Sequence, residues 1–574
     1  MSTLRSSRWL EGETEVAVTS RVALRSAGID VRSKEQRPVI GIANTASDLN
    51  PCNLPLGALA EAVRKGVLAA GGLPVVFPAM SLGEDLMKPT AMLYRNLLAM
   101  EIEEMIRSNP VDGIVLLANC DKTVPGMIMG AASADIPTLV VTGGARPPAV
   151  FKGRRIGTGT DLWRVWDQRR TGQLSDEEWG AFEEALSCGV GACNTMGTAS
   201  TMAILCEVLG LSLPGSSTIP SGDLRAREMA ERAGETVVKM VHTSVRPSLL
   251  LTRDAFSNAA KVLSGIGGST NAVIHLMAIA GRTQAGVTLS DLGRWFKSIP
   301  VIVDVEPTGT GLVQDLDIAG GVPAVVKALA PYLELSARSA GGESLGGVAE
   351  AAVKLGDTVR EPRAPIVASD GLAVLYGSLA PDGAVMRLST SSPALFEHTG
   401  PAVVFDDYQD MLDTIDDPAL GITPDSILIL RGCGPVGGPA MPEWGMIPIP
   451  GYLVRKGVTD MVRVSDARMS GTSFGTVVLH VAPESAIGGA LAMVASGDRV
   501  RLSVNEGRID LLVGEEELAQ RRAHWRAPAF ADRRGWPALY REHVTQAPLG
   551  CDFDFLRAPA DGAPGFVEPM VGRS

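Results

Sequence analysis

Gly113-Ile114-Val115-Leu116-Leu117-Ala118-Asn119-Cys120-Asp121-Lys122 is the stretch from which the fold is read. Its first six residues are a short apolar run of the kind that makes a fully buried parallel strand. The residues that follow set a soft thiol, a hard carboxylate and a lysine at that strand's C-terminal end. Open α/β sheets bind ligands at this edge. Thr123 to Gly126 then lead into a helix of small and apolar residues, Met127 to Ala134. Taken alone, the stretch also reads as ordinary structure, with Cys120 a buried small hydrophobe, Asp121 a helix cap and Lys122 solvated. The surrounding chain decides between the two.

Upstream, the same pattern occurs twice. Pro38 to Ala43 reads as a strand, followed by a loop that carries Cys52 and a helix over about Leu56 to Ala70. Leu73 to Phe77 reads as the next strand, followed by the loop Ala79 to Asp85 and an amphipathic helix over about Thr90 to Ser108. Downstream, Thr138 to Thr142 is a further strand. Such alternation implies a mostly parallel sheet with right-handed crossovers. Successive strand ends thus present Cys52, then Glu84 and Asp85, then Cys120, Asp121 and Lys122. If these strands are neighbours, the groups converge on one edge.

Ser187 to Thr198 adds Cys193 just before a helix that runs to about Leu209, where the helix dipole and free N–H groups favour a thiolate. Cys206 falls inside that helix and reads as core, while the sequence leaves Cys188 open. Gly265-Ile266-Gly267-Gly268-Ser269-Thr270-Asn271 enters another helix, Asn271 to Ala280. It reads equally as an anion cradle or as tight packing. Leu335 to Gly347, rich in Ser, Gly and Ala, reads as a loose surface connection. Beyond Gly371 the texture changes to short strands and turns, including a hairpin around Asn505-Glu506-Gly507. The expected class is therefore α/β: an N-terminal, mostly parallel α/β sheet domain over 1–375, and a C-terminal β-rich domain over 376–574. The second is expected to be a small barrel or sandwich rather than another parallel sheet. The last fifty residues, with Trp525, Trp536 and Tyr540, are expected to pack on a partner subunit or on the first domain.

The 574 residues exceed what one hydrophobic core usually supports, which calls for at least two domains. A net charge of −12 argues against a nucleic-acid partner. Met1 to Glu15 is polar and lacks the apolar core of a signal peptide, and no apolar run is long enough to suggest a membrane span. Seven cysteines without a CxxC pair read as reduced thiols or metal ligands in a cytoplasm. Gly471-Thr472-Ser473-Phe474-Gly475, with His480 near, matches a hydrolase nucleophile elbow, but a β-branched strand follows where that motif requires a helix. A non-catalytic iron–sulfur sensor would use the cysteines and leave Glu84, Asp121 and Glu443 without a role.

Six strings in this chain occur together and in order: NPCN (50–53), NCDKTVPGM (119–127), GACNTMGTAST (191–201), GGSTNAVIHL (267–276), MPEWG (441–445) and SDARMSGTSFGT (465–476). They resemble the dihydroxy-acid and sugar-acid dehydratases, the family that includes 6-phosphogluconate dehydratase, from about Arg37 to Val513. SLGEDLMKPTAM (81–92) and SDARMSGT resemble the sugar-acid branch more than the branched-chain amino acid enzyme. The resemblance implies that Cys52, Cys120 and Cys193 hold an iron–sulfur cluster, most often [2Fe–2S], with one iron left open as a Lewis acid. It implies no such role for Cys188, Cys206, Cys433 or Cys551. It also implies that Glu84, Asp121 and Glu443 hold Mg²⁺, with Asp85 the alternative to Glu84. Lys122 matches a lysine carbamylated in this family, which would remove the repulsion between an ammonium and Mg²⁺. Ser470 matches the proposed base and Thr472 a neighbour that contacts substrate. Ala46 and Phe474 stand where most sugar-acid members have an aromatic and a Tyr, departures that bear on which substrate is used. The implied reaction takes a small sugar-acid substrate, a 2,3-dihydroxy acid, to a 2-keto-3-deoxy acid in a cytoplasmic homodimer or homotetramer. The alternative is the dihydroxy-acid dehydratase of branched-chain amino acid synthesis.

Overall fold

The computed structural model describes residues 4–31, 36–562 and 566–573. Four strands form the N-terminal sheet: β1 (Val39–Asn44), β2 (Leu73–Pro78), β3 (Gly113–Leu117) and β4 (Thr138–Val141). Their order is β2-β1-β3-β4 and every pairing is parallel. The strands that carry the candidate groups are therefore neighbours, and their C-terminal ends share one edge. β3 is buried along its whole length, as a strand covered on both faces must be.

The crossover helices are α1 (Leu56–Ala69), α2 (Arg95–Ser108) and α3 (Thr123–Ala134). α2 is preceded by a 3-10 turn over Ala91–Tyr94, and α3 starts at Thr123, four residues earlier than the apolar pattern suggests. The early start is sterically allowed because Pro125 lies in the first turn, where no intrahelical N–H bond is lost. Further on come α4 (Thr160–Arg170), α5 (Thr198–Val208), α6 (Leu224–Thr243) and α7 (Asn271–Gly281). α6 crosses α1 in backbone contact at two glycines. A Cβ on Gly66 would sit 1.9 Å from the Glu231 carbonyl oxygen, and one on Gly234 would sit 2.3 Å from that of Val63.

The C-terminal sheet has eight strands: β5 (Leu372–Leu375), β6 (Gly383–Arg387), β7 (Glu397–Phe405), β8 (Ile427–Leu430), β9 (Arg463–Ser465), β10 (Val477–Ala482), β11 (Arg499–Ser503) and β12 (Arg508–Leu511). Their order is β12-β11-β7-β8-β9-β10-β6-β5. The two outer strands meet through Tyr376 and Arg508, where the Ile509 amide donates to the Tyr376 carbonyl at 2.9 Å. That contact nearly closes the sheet into the expected barrel. Its middle pairings, β7-β8, β8-β9 and β9-β10, are parallel, which the hairpin texture of the sequence did not disclose. An apolar cluster that includes Ile427, Ile429, Val464, Val478, Val500 and Leu502 packs within it.

Leu335 to Gly347 departs from the sequence reading. Ala337, Ser339, Ala340 and Leu345 are buried, and a short helix begins at Leu345. Small residues here permit close packing rather than mobility, with Leu345 N–H donating to the Ala337 carbonyl at 2.7 Å. The C-terminal segment packs on the first part of the chain. Arg282 pairs with Asp552 at 2.6 Å, Arg95 donates to the carbonyls of Gly550 and Cys551, and the Trp536 indole donates to the Leu93 carbonyl. Among the described residues no helix is long and apolar enough to cross a membrane.

Two buried asparagines lock the loops at the sheet edge. Asn53 Oδ1 accepts from the amides of Asn119 at 3.2 Å and Cys120 at 2.9 Å. Its Nδ2 donates to Thr45, Ser81 and Thr123 hydroxyls. Asn119 Nδ2 donates to the Cys52 and Gly144 carbonyls, both at 2.8 Å. Asn53→Ala leaves two buried amides without an acceptor, each worth about 1–3 kcal/mol when unsatisfied. The thermal midpoint of Asn53→Ala should therefore fall by several degrees; an unchanged midpoint would show that the loops are held some other way.

Candidate active site

The structure brings Glu84, Asp121 and Glu443 together around the Lys122 side chain. Glu84 comes from the loop after β2, Asp121 and Lys122 from the end of β3, and Glu443 from the loop after β8. One carboxylate oxygen of each acid lies within 4.8 Å of those of the other two. Lys122 is fully buried. Its ammonium donates to Asp121 Oδ2 in a very short contact and to Glu443 Oε1 at 2.9 Å, and lies 3.0 Å from Glu84 Oε2. That last oxygen is buried with no aligned hydrogen-bond donor.

Electrostatics here follow from burial and close charges. Burial and Arg468 push the Lys122 ammonium toward neutrality, yet the three carboxylates outweigh them and its pKa is raised. Burial, together with the other two acids, pushes Asp121 up to about 6 despite Lys122. Glu443 is also buried, but Lys122 and Arg468 draw it down to about 2. Arg468 donates to Glu443 Oε1 at 2.9 Å and to Thr90 Oγ1 at 3.0 Å, and Thr90 in turn donates to Glu84 Oε1 at 2.6 Å. Asn271, the first residue of α7, donates to the same Glu443 oxygen at 2.8 Å.

Beside this cluster lie the thiols of Cys52, Cys120 and Cys193. A proton shared with Cys120 holds Cys52 below its ordinary value and pushes Cys120 well above it. Burial pushes Cys193 up to about 12. Arg146 lies against this group, its guanidinium 3.9 Å from Cys52 Sγ. The Gly191 amide donates to the Pro51 carbonyl at 3.0 Å, tying the Cys193 loop to the Cys52 loop. Three soft donors brought together from separate loops are of the kind that holds an iron–sulfur centre.

The structure also separates Glu84 from its sequence alternative. Asp85 acts on Cys52, Cys193 and Arg146 and so faces the thiols, whereas Glu84 faces Lys122. Three of the remaining four cysteines lie elsewhere. Cys206 contacts Ser212 inside the core, Cys433 belongs to a separate apolar cluster, and Cys551 abuts Met441. Cys188 donates to the Pro147 carbonyl on the rim, near Arg146.

Ser470 and Thr472 reach this region on the loop between β9 and β10. Gly471 permits the approach: a Cβ there would sit 2.6 Å from the Thr198 amide and 2.7 Å from Ser269 Oγ. Arg387, fully buried and without a carboxylate partner among the described residues, donates to the carbonyls of Gly471 at 2.6 Å and of Gly267 at 2.9 Å. Burial alone pulls its pKa down to about 9. The glycine loop before α7 serves packing: a Cβ on Gly268 would sit 2.5 Å from Leu263, and the Ser269 amide is taken by Thr201 Oγ1. The nucleophile-elbow reading fails, because Ser473 Oγ and both His480 ring nitrogens have no hydrogen-bond partner and β10 follows the turn.

Sequence reasoning did not find Arg146, Arg387, Arg468, Asn53 or Trp163, whose partners lie far away along the chain. Arg468 does fall inside the string SDARMSGT, where an arginine two residues before the candidate base was a usable signal.

Comparison with known proteins agrees with this arrangement. Residues 37–348 match the sequence profile described as dihydroxy-acid/6-phosphogluconate dehydratase N-terminal, and 357–551 match its C-terminal counterpart. The chain is 46% identical to a 6-deoxy-6-sulfo-D-gluconate dehydratase of Pseudomonas putida, over 97% of this chain and 96% of that one. It is 44% identical to an L-arabinonate dehydratase of Rhizobium leguminosarum bv. trifolii, over 98% of both. A dihydroxy-acid dehydratase of Caldanaerobacter subterraneus is 36% identical, over 90% of this chain and 94% of that one. With both profiles matched in order over most of its length, the chain belongs to the dihydroxy-acid/6-phosphogluconate dehydratase family.

Proposed function

We propose that this chain is a hydro-lyase that dehydrates a sugar acid, an aldonate with 2,3-dihydroxy substitution, to a 2-keto-3-deoxy acid, using an iron–sulfur cluster and Mg²⁺. The observation that carries the reading is the buried Lys122 ringed by three carboxylates, next to a pocket of three thiols. Sugar-acid dehydratases at 44–46% identity, against 36% for a dihydroxy-acid dehydratase, support the aldonate branch. Seven unpaired cysteines support a reducing, cytoplasmic setting.

The donor sets fit the two cofactors. Three carboxylates sharing one small space, one of them with an oxygen that meets the Lys122 ammonium but takes no aligned hydrogen bond, suit a hard cation that takes oxygen ligands. Cys52, Cys120 and Cys193 would hold the cluster, and Glu84, Asp121 and Glu443 the Mg²⁺. The Lys122 ammonium occupies the place of that cation among the acids, so the two exclude each other. Carbamylation of Lys122 would turn it from competing cation into a further oxygen ligand. When bound, the two groups supply charge stabilisation beside the substrate carboxylate and a Lewis-acidic iron for the departing hydroxyl.

The protein's own part is to bind, orient and move a proton. Ser470 Oγ, as the alkoxide, takes the proton from substrate C2 and becomes a hydroxyl. The C2–H electron pair becomes the C2–C3 double bond as the C3–O bond breaks. The departing hydroxide takes up that proton to leave as water and returns Ser470 to its starting form. The resulting enol tautomerises to the keto acid by gaining a proton from solvent at C3 as its hydroxyl loses one. The buried ends of α5 and α7 face the site with their positive poles, which favours an anionic substrate.

Anaerobic assay of reconstituted protein against a panel of five- and six-carbon aldonates should yield 2-keto-3-deoxy acids. Their kcat/KM should exceed that of 2,3-dihydroxyisovalerate; a tenfold preference for the branched-chain acid would overturn the assignment. Separately, Cys52→Ser, Cys120→Ser and Cys193→Ser should each lose bound iron and visible absorption, whereas Cys188→Ser should retain both. Full iron in Cys52→Ser together with its loss in Cys188→Ser would refute the ligand set.

A further inference from the structure

We propose that Trp163 is a positioning residue for Ser470, its indole N–H fixing the direction of a hydrogen-bond chain that ends by donating into the Ser470 oxygen. The proposal rests on the reading of Ser470 as the base. Trp163, on α4, donates from Nε1 to Thr472 Oγ1 at 3.0 Å. Thr472 Oγ1 lies 2.9 Å from Ser470 Oγ.

The order of donors in this chain follows from chemistry. An indole N–H only donates, so Thr472 Oγ1 must accept from it. The single hydroxyl hydrogen of Thr472 then needs an acceptor, and among the described residues the other partner of Thr472 Oγ1 is Ser470 Oγ. The reverse direction would leave that hydrogen unpaired in a residue only 5% exposed, which is unfavourable. The Thr472 amide also points at Ser470 Oγ, at 3.4 Å. Ser470 therefore receives hydrogen bonds and keeps its own hydrogen free to leave. Donors aimed at an oxygen favour its anionic form, which is what a serine base requires.

Thr472 is held so that it cannot turn away. A Cβ on Gly159 would sit 2.5 Å from Thr472 Oγ1, and one on Gly197 2.9 Å from its Cγ2. Thr160 Oγ1 donates to the Thr472 carbonyl at 3.0 Å. Two glycines thus let α4 and the Cys193 turn close on one threonine. The charged neighbours are already engaged: Arg387 with the Gly471 carbonyl, Arg468 with Glu443, and Arg164 with Glu306 at 3.0 Å. None supplies the donor that Trp163 supplies.

Trp163→Phe keeps a large ring and removes the N–H. In holoenzyme with verified iron content, acting on the aldonate turned over fastest, its kcat should fall about tenfold, the scale of a lost buried hydrogen bond. KM should change less than about threefold, because the indole N–H acts through Thr472 on how readily Ser470 ionises. Exchange of the substrate C2 proton with solvent deuterium should slow in parallel. Thr472→Val should lose as much, Thr472→Ser should restore most of it, and adding Trp163→Phe to Thr472→Val should cost nothing further. A Trp163→Phe enzyme with wild-type kcat, or losses that multiply in the double variant, would overturn the proposal. Should Trp163→Phe not fold, equal turnover of Thr472→Val and Thr472→Ser overturns it instead. Ser470→Ala separates the two readings. If it retains turnover, the base assignment falls and the chain with it. If it is inactive while Trp163→Phe is normal, only the chain is refuted.

Discussion

A lysine ammonium held out of water by carboxylates from three separate parts of the chain is the constraint on which the rest of the structure depends. Taking an ionised group into a protein interior is costly unless it is paired and hydrogen-bonded. Lys122 lies at the end of β3 and cannot avoid burial, since β1 and β4 flank its strand and the barrel covers its edge. Asp121 is its chain neighbour, but Glu443 lies 321 residues away. Pairing the lysine therefore requires the barrel to dock on the sheet. Arg468 and Asn271 hold Glu443 in place, and Thr90 links Arg468 to Glu84.

The same docking explains the glycines and lone arginines of the interface. Gly471, Gly159 and Gly197 are positions where a side chain would collide with a neighbouring backbone or with Thr472. Arg387 reaches from β6 to carbonyls of two loops, joining the turn that carries Ser470 to the glycine loop ahead of α7. Among the described residues its charge is met by backbone carbonyls alone. Stability and function are thus coupled here: the contacts that close the interface also aim the candidate base.

Much of the N-terminal part was legible because buried parallel strands are continuous apolar runs and the candidate groups follow their ends. β1, β2, β3 and β4 lie within a residue or so of where the sequence placed them, and Cys52, Glu84 and Cys120 follow three of them. That the second part is β-rich, a barrel or a sandwich, was readable from short strands and a hairpin. Its parallel pairings were not, because pairing direction depends on which strands meet, and β8, β9 and β10 are joined by connections with no helix of the usual crossover length. Trp163, Arg146 and Asn53 were invisible for a related reason. A tryptophan on an amphipathic helix looks the same whether it packs in a core or donates to a threonine 309 residues away. The run from Leu335 to Gly347 misled because small residues serve tight packing as readily as loose turns.

The central claim is that the acids around Lys122 form a cation site, with the lysine changing from competitor to ligand on carbamylation. The most direct measurement is a crystal structure of anaerobically prepared protein grown with bicarbonate and Mn²⁺ in place of Mg²⁺, the ion located by anomalous scattering. The account predicts one Mn²⁺ among the carboxylates of Glu84, Asp121 and Glu443, with Lys122 extended as its carbamate. An unmodified Lys122 ammonium still paired with the three acids, and Mn²⁺ absent from among them at saturating concentration, would contradict it.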